Sequence, residues 1–182
     1  MTGLANLPVD QSVMAAIQAW VMSVTGLDIL HVIPAHDNRV PPPGTPFIIV
    51  SHLSRKSYEV PGSSYNGTTQ VDTISTGLDY VFQIDSYGIN ASDWALTMQT
   101  LFRSYPTASF FEAWGIANGF TIDPLYTDDA THTAIVNEES QYEERWTIKP
   151  HFCVVFSVAT PMQSMTQTPH PGIINVQRTY PM

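Results

Sequence analysis

Charge is scarce in this chain. Asp, Glu, Lys and Arg make up 13% of its 182 residues, about half the usual share. A surface so poor in charge is built from Ser, Thr, Gln, Asn and Pro, or is covered by other subunits. The charge present leans one way: sixteen Asp and Glu stand against seven Lys and Arg, for a net of -9. A chain so acidic does not live by neutralising phosphates. That excludes a stand-alone DNA-binding module, though not a surface past which DNA slides without sticking. Cysteine is nearly missing too. Cys153 alone forms no disulfide within the chain, and with no acidic or basic helper beside it in sequence it reads as a packed, inert thiol. No run is apolar and long enough to cross a bilayer, since residues 11–27 are interrupted by Gln, Ser and Thr. The first ten residues lack a basic segment followed by an apolar one, so no secretory signal is expected. Equally absent are a Gly-x-Ser-x-Gly elbow, a Walker-A loop, a dinucleotide fingerprint and a Cys-x-x-Cys pair.

The clearest positive signal is a change of hydrophobic period between Thr76 and Ser104. Tyr80, Phe82 and Ile84 alternate with Val81, Gln83, Asp85 and Tyr87, the mark of a strand. After Gly88, the spacing of Trp94, Met98, Leu101, Phe102 and Tyr105 is that of one helical face. A strand therefore feeds a helix that packs back on the sheet, with Tyr80, Phe82, Ile84, Trp94, Met98 and Phe102 as core.

Upstream, Val13, Ile17, Trp20, Val21 and Val24 form a helical stripe, with Asp10 placed as N-cap and Gly26 as the stop. The opposite face, Met14, Gln18, Met22 and Thr25, carries no charge. Such a face lies against a partner or under later segments. Ile29 to Ile33 is a short apolar run stopped by Pro34, Pro41 to Pro43 with Pro46 is a stiff connector, and Phe47 to Val50 is a buried strand continuing toward Leu53. Arg55 to Ser75 is polar and holds Asn66-Gly67, a hairpin-turn signal, so it reads as a long projecting hairpin or loop. Asn66-Gly67-Thr68 and Asn90-Ala91-Ser92 match a glycosylation sequon but are expected to mark a turn and a helix cap. A short helix from Tyr105-Pro106 carries Phe110, Phe111 and Trp114, and strands follow at Phe120 to Leu125 and Ala134 to Asn137.

From Glu144 to Thr160, Trp146, Ile148, Phe152, Val154, Phe156 and Val158 share one parity, with Pro150 allowing a bend. Past Thr160 come Pro161, Pro169, Pro171 and Pro181 and one charge, Arg178. Ile173 to Val176 is suited to add to a sheet edge, so this segment reads either as an arm ordering on a neighbour or as a frayed tail. The expected fold class is α+β: a mixed or antiparallel sheet with helices mainly on one face, a long loop or hairpin, one domain over residues 1–160 and an extended arm over residues 161–182.

Residues able to do chemistry are few. His31, His36 and Asp37 lie close in sequence, but Pro34 forbids a helix that would align them. His132, His151 and His170 lack ligand spacing. Seven acids, Asp123, Asp128, Asp129, Glu138, Glu139, Glu143 and Glu144, fall in one short region. The plain reading is a solvated acidic surface. A functional reading is electrostatic: repeated around a ring, Asp128, Asp129, Glu138 and Glu139 would line a channel that repels DNA phosphates. No metal, no cofactor and no membrane is expected. Arg55-Lys56, Arg145 and Lys149 are too isolated for a nucleic-acid face, though they suit contact with an acidic partner.

Two segments carry a family resemblance. DYVFQIDSYGINASDWALTMQTLFRS, with its Gln-hydrophobic-Asp-x-Tyr-Gly strand end, resembles the strand-turn-helix of phage neck and tail terminator proteins. QYEERWTIKPHFCVVF is similar to that family's Glu-Arg-Trp strand. The resemblance spans most of Asp10 to Thr160. It implies a non-enzymatic virion protein forming a ring, a hexamer, on the last ring of the tail tube. Implied partners are further copies of the chain, the tail tube protein, a head-side connector or stopper, a sheath protein where one is present, and genomic DNA passing through the lumen unbound. Contacts are then expected from Arg55, Lys56, Tyr58, Tyr65 and Asn66 in the projecting segment and from Ile173, Ile174, Val176 and Arg178 in the arm. Other readings are a stopper or adaptor of the same connector, a small hydrolase using the acids with His132 or His151, and a monomeric binding module.

Overall fold

The computed structural model of the protein describes residues 9–35, 44–136 and 142–162. Its elements are α1 (Val9–Thr25), β1 (Val32–Pro34), β2 (Phe47–Ser57), β3 (Gly62–Asn66), β4 (Val71–Tyr87), α2 (Ala91–Leu101), α3 (Tyr105–Asn118), β5 (Thr121–Thr127), β6 (Thr131–His132), β7 (Ile135–Val136), β8 (Tyr142–Glu143), β9 (Arg145–Ile148) and β10 (Pro150–Pro161). The class is α+β, as the order of periods implied. One mixed, mostly antiparallel sheet runs β1-β2-β4-β10-β5, and β7 and β8 form a separate small pair.

The seventeen-residue β4 is the spine. On one side it pairs with β2 over Leu78–Tyr87 and with β3 over Val71–Ser75. On the other it pairs with β10 over Val71–Val81 and with β9 over Ile84–Tyr87. Alternation sends Tyr80, Phe82 and Ile84 to the face the helices cover, and all three are buried. Phe152, next door on β10, packs at close to right angles against Phe82, Phe102 and Phe111, at ring separations of 6.0, 5.1 and 5.1 Å. Trp20 of α1 closes the cluster against Phe102 at 5.6 Å and donates its indole N–H to Thr107 Oγ1 at 3.2 Å, which satisfies that buried hydroxyl.

Local sequence explains the element ends. In α1, Val13, Ile17, Trp20 and Val21 are buried, and the Gly26 amide returns to Met22 O at 2.9 Å. Pro106 cannot continue α2, so the chain restarts as α3 from Ser104 in an extended conformation. Gly115 lets α3 lie on β5: a Cβ there would stand 2.5 Å from Phe120 O.

Several expectations are corrected. Asp10 lies inside the first turn of α1 and spends its carboxylate on tertiary partners. Leu101 and Tyr105 are exposed, because the helix breaks between them; the buried line is Ala91, Ala95, Met98 and Phe102, with Trp94 half-buried against it. Ile29 and Leu30 are exposed in a turn, and only Val32–Pro34 joins the sheet, parallel to β2. The hairpin reading of the projecting segment holds, with β3 turning after Asn66 into the start of β4, but its first residues, Arg55–Ser57, belong to β2. The strand expected from Glu144 is interrupted at Lys149, giving β9 and β10, with a register shift at His151/Phe152 against β5. Asn66 does organise a turn, accepting the amides of Thr68 and Thr69, whereas Asn90 occupies the N-cap of α2 without a side-chain cap bond. The uncharged face of α1 is half-buried under later segments, with Gln18 Nε2 donating to Val32 O at 3.0 Å.

Candidate functional site

Beyond Gly77 the sheet narrows to a three-stranded ribbon: β3, the first residues of β4, and the end of β10. Its rows run Ser63–Ile74–Val158 and Tyr65–Asp72–Thr160. Tyr65 and Ile74 lie on the face that carries the core further along, yet remain 46% and 41% exposed. From Val60 to Gly77 the only charge is Asp72, buried and accepting from Ser63 Oγ at 2.6 Å. Among the described residues both long edges are open, since β3 pairs only with β4 and β10 beyond Val155 does the same.

The ribbon joins the body at a short crossing. β2 leaves β4 at Leu78 and β3 takes over at Ser75. Residues 58–61 bridge the gap, and the Gly77 amide, without a strand partner on that side, donates to Glu59 Oε1. The Tyr58 ring lies over Gly77, where any Cβ would collide with it, and its hydroxyl sits 2.8 Å from Cys153 Sγ. That hydrogen bond, helped by desolvation, pushes the Tyr58 hydroxyl up to about 12. Arg55 is anchored at the same level. Its guanidinium donates to Asp10 at 3.0 and 3.2 Å and lies 3.4 Å from the Tyr80 hydroxyl, which itself donates to Asp10 Oδ1 at 2.7 Å. The Tyr80 bond heads the causes that raise the Arg55 pKa. Lys56 falls opposite Asp79 on the uncovered face of the sheet. Ile173, Ile174, Val176 and Arg178 lie outside the described residues.

A polar knot at the other end of β4 escaped the reading of the residues. Asp85 is 5% exposed. It accepts from Arg145 Nε at 2.9 Å, from Gln83 Nε2 at 2.6 Å and from Thr147 Oγ1. The Gly88 amide, just beyond, donates to Glu144 O at 3.3 Å. The two segments that carry the family resemblance thus meet here through one buried carboxylate. A usable signal existed: an Asp beside the apolar positions of a strand needs a partner when buried, and Arg145 is one of only seven basic residues. Burial of Tyr87, beside this knot, also raises its hydroxyl pKa.

Among the described residues, Asp123 is set apart from Asp128 and Asp129 along β5. Asp128 and Asp129 are exposed at the end of β5. Asp129 accepts from Gln99 Nε2 at 3.0 Å while Gln99 Oε1 accepts from the Ala130 amide, which ties this loop to α2. Asp123 lies further back on β5, in register with Cys153. Glu138 and Glu139 lie outside the described residues. The histidines named as candidates are spent elsewhere: His132 packs at a tilt against Trp146, and His151 meets Asp79 at 3.2 Å and stacks on Tyr126. His31 pairs with Asp28 at 2.6 Å, a bond that lowers the Asp28 pKa, while His36, Asp37 and His170 fall outside the described residues. Among the described residues no three His, Cys, Asp or Glu side chains converge as metal ligands, and no helix is long and apolar enough to cross a membrane.

A family model described as phage neck terminator protein matches residues 11–176. The match covers every described strand of the sheet and runs past Thr160 as far as Val176. No curated protein matches the chain.

Proposed function

The chain belongs to the phage neck terminator protein family, and from that premise we propose that it closes the tail tube as a ring. It is a structural protein of the virion neck. In our reading, copies assemble into a hexamer on the last ring of the tube. The ring stops tube growth and meets the head-side connector or stopper protein, and the genome passes through its lumen without specific binding. A sheath protein is a further partner where the tail has one. Neither turnover nor a cofactor belongs to this role.

The observation that carries the proposal is the family match over most of the chain. The ribbon supports it. A projecting, nearly uncharged sheet with two open edges is a poor free surface, and edges of that kind are normally paired or covered. Head-to-tail contacts that close into a ring hide them. Residues 1–160 then act as the folded domain and residues 161–182 as an arm. Arg55, Lys56, Tyr58, Tyr65 and Asn66 would touch neighbouring subunits, as would Ile173, Ile174, Val176 and Arg178. Asp128, Asp129, Glu138 and Glu139 would face the lumen, where negative charge keeps DNA moving. Electron microscopy of the purified protein tests this. The expected image is a six-fold ring with a central hole. A chain that stays monomeric at high concentration, and makes no ring when mixed with tail tube protein, sinks the proposal. A ring that binds the head connector but not the tube would make it a stopper or adaptor instead.

A further inference from the structure

We infer that the segment Ile173–Arg178 of one copy docks as an added strand on the outer edge of β5 in a second copy, its side chains entering the groove between β5 and α3. The inference rests on the assembly proposed above. Among the described residues β5 pairs only with β10, so its other edge is open. Beside that edge lies a groove of about 690 Å³, whose α3 wall is made small by Ala108 and Gly115, with Gly119 just past the helix end. Ile116, also in the groove, is 77% exposed, and none of the described residues covers it.

The occupant follows from chain geometry and charge. Past its last pair with β5, Val155 with Thr121, β10 runs on for about 20 Å to Pro161. There the Met162 amide is pinned to Gln70 O at the ribbon tip, 2.9 Å away. The chain is thus released far from its own β5 and pointing away from it. The residues from Met162 to Ile173 reach at most about 40 Å, enough for either their own β5 or a neighbour's, but Pro169 and Pro171 favour an extended path over the reversal that their own β5 would need. A neighbour is therefore the natural target. Ile174, Val176 and Arg178 share one parity. As an added strand they present two branched apolar side chains and then a cation to one side. The groove offers apolar space, and then the exposed carboxylate of Glu112. Arg178 is the only charged residue from Pro161 to Met182. Pro124, which lacks an amide, limits the added ladder to the Thr121 end of β5.

The test is covalent capture in the full chain. With Cys153→Ser as background, Ile116→Cys and Val176→Cys are placed in separate chains, mixed and oxidised, and also combined in one chain. The expected result is a bridged heterodimer in the mixture and a ladder of covalent multimers from the double variant. Rings visible by electron microscopy without any bridging overturn the docking and leave the ring standing. Bridges confined within single chains overturn the second copy as host. If the unsubstituted protein forms no ring, the assembly proposal fails first and the docking with it. Arg178→Glu should weaken ring assembly by about tenfold, and adding Glu112→Arg should restore it; harm without rescue removes Glu112 as the partner of Arg178.

Discussion

β4 passes through two environments along one strand. Over Tyr80–Ile84 one face is sealed by α1, α2 and α3, and every core-facing side chain is buried. Over Val71–Thr76 the same alternation continues, yet Ile74 stands 41% exposed and its cross-strand neighbours in β3 are exposed as well. Strands flank β4 on both sides in both halves, with a gap at Phe82 and Gln83 where β10 gives way to β9, so the ribbon is not the poorer half in backbone pairing. Burial separates them. A fully buried aromatic or aliphatic side chain contributes roughly 1.5–3 kcal/mol relative to exposure, and the ribbon collects little of it. The body is stabilised by its own packing, while the ribbon is held by its ladder and by the Tyr58–Gly77 crossing. Its nearly charge-free composition is costly in solubility if left bare, and is consistent with a surface meant to be covered.

Four substitutions test this division. Phe152→Ala should be the most damaging, because it empties the centre where Phe82, Phe102 and Phe111 converge. A loss of about 3–5 kcal/mol is expected in denaturant unfolding, and a loss below about 1 kcal/mol would mean that this cluster is not the core. Arg145→Met comes next. It leaves Asp85 buried with only the neutral donors Gln83 and Thr147, at a cost of about 2–3 kcal/mol. If the variant is as stable as the parent, the knot does not secure β9 to β4.

Tyr65→Ser probes the ribbon. Subunit stability should change by less than about 0.5 kcal/mol, while ring formation weakens in sedimentation. The reverse pattern, an unstable subunit that still assembles, would erase the distinction between ribbon and body. Tyr58→Phe should cost a little at neutral pH, where the hydroxyl bond to Cys153 is intact, and progressively less as pH rises. The folded-state pKa of Tyr58 is raised to about 12, so its contribution is present in full below the ordinary tyrosine value of about 10 and is lost as pH rises through about 12. Comparing urea midpoints at about pH 9 and about pH 11, the parent should lose more stability than the variant. Equal losses would show that the Tyr58–Cys153 contact does not hold the crossing.

Much of the body was legible before any coordinates. Tyr80, Phe82 and Ile84 announce a half-buried strand because a period of two is enforced by the backbone itself. Trp20 and Ile17 announce the buried stripe of α1 for the corresponding reason at a period of 3.6. The choice between Leu101 and Phe102 was not legible, since both fit a helical face until Pro106 ends it. Nor was the extension of β2 through Arg55–Ser57, where polar residues pair with β4 without any apolar alternation to betray them. The candidate contacts were visible only as a polar, turn-rich stretch, and their division between strand and crossing was not.

The amino-acid sequence by itself determined the class of fold, the parity of each main strand, the scarcity of catalytic groups and the family. Those are local or compositional properties, set by periodicity and residue type. Tertiary structure alone decided what meets across distance. Asp85 and Arg145 are 60 positions apart and join because β9 registers against β4. Arg55 and Asp10 are 45 apart and meet because α1 crosses the end of β2. Register and crossing are settled by the summed burial of many side chains, which no single segment encodes.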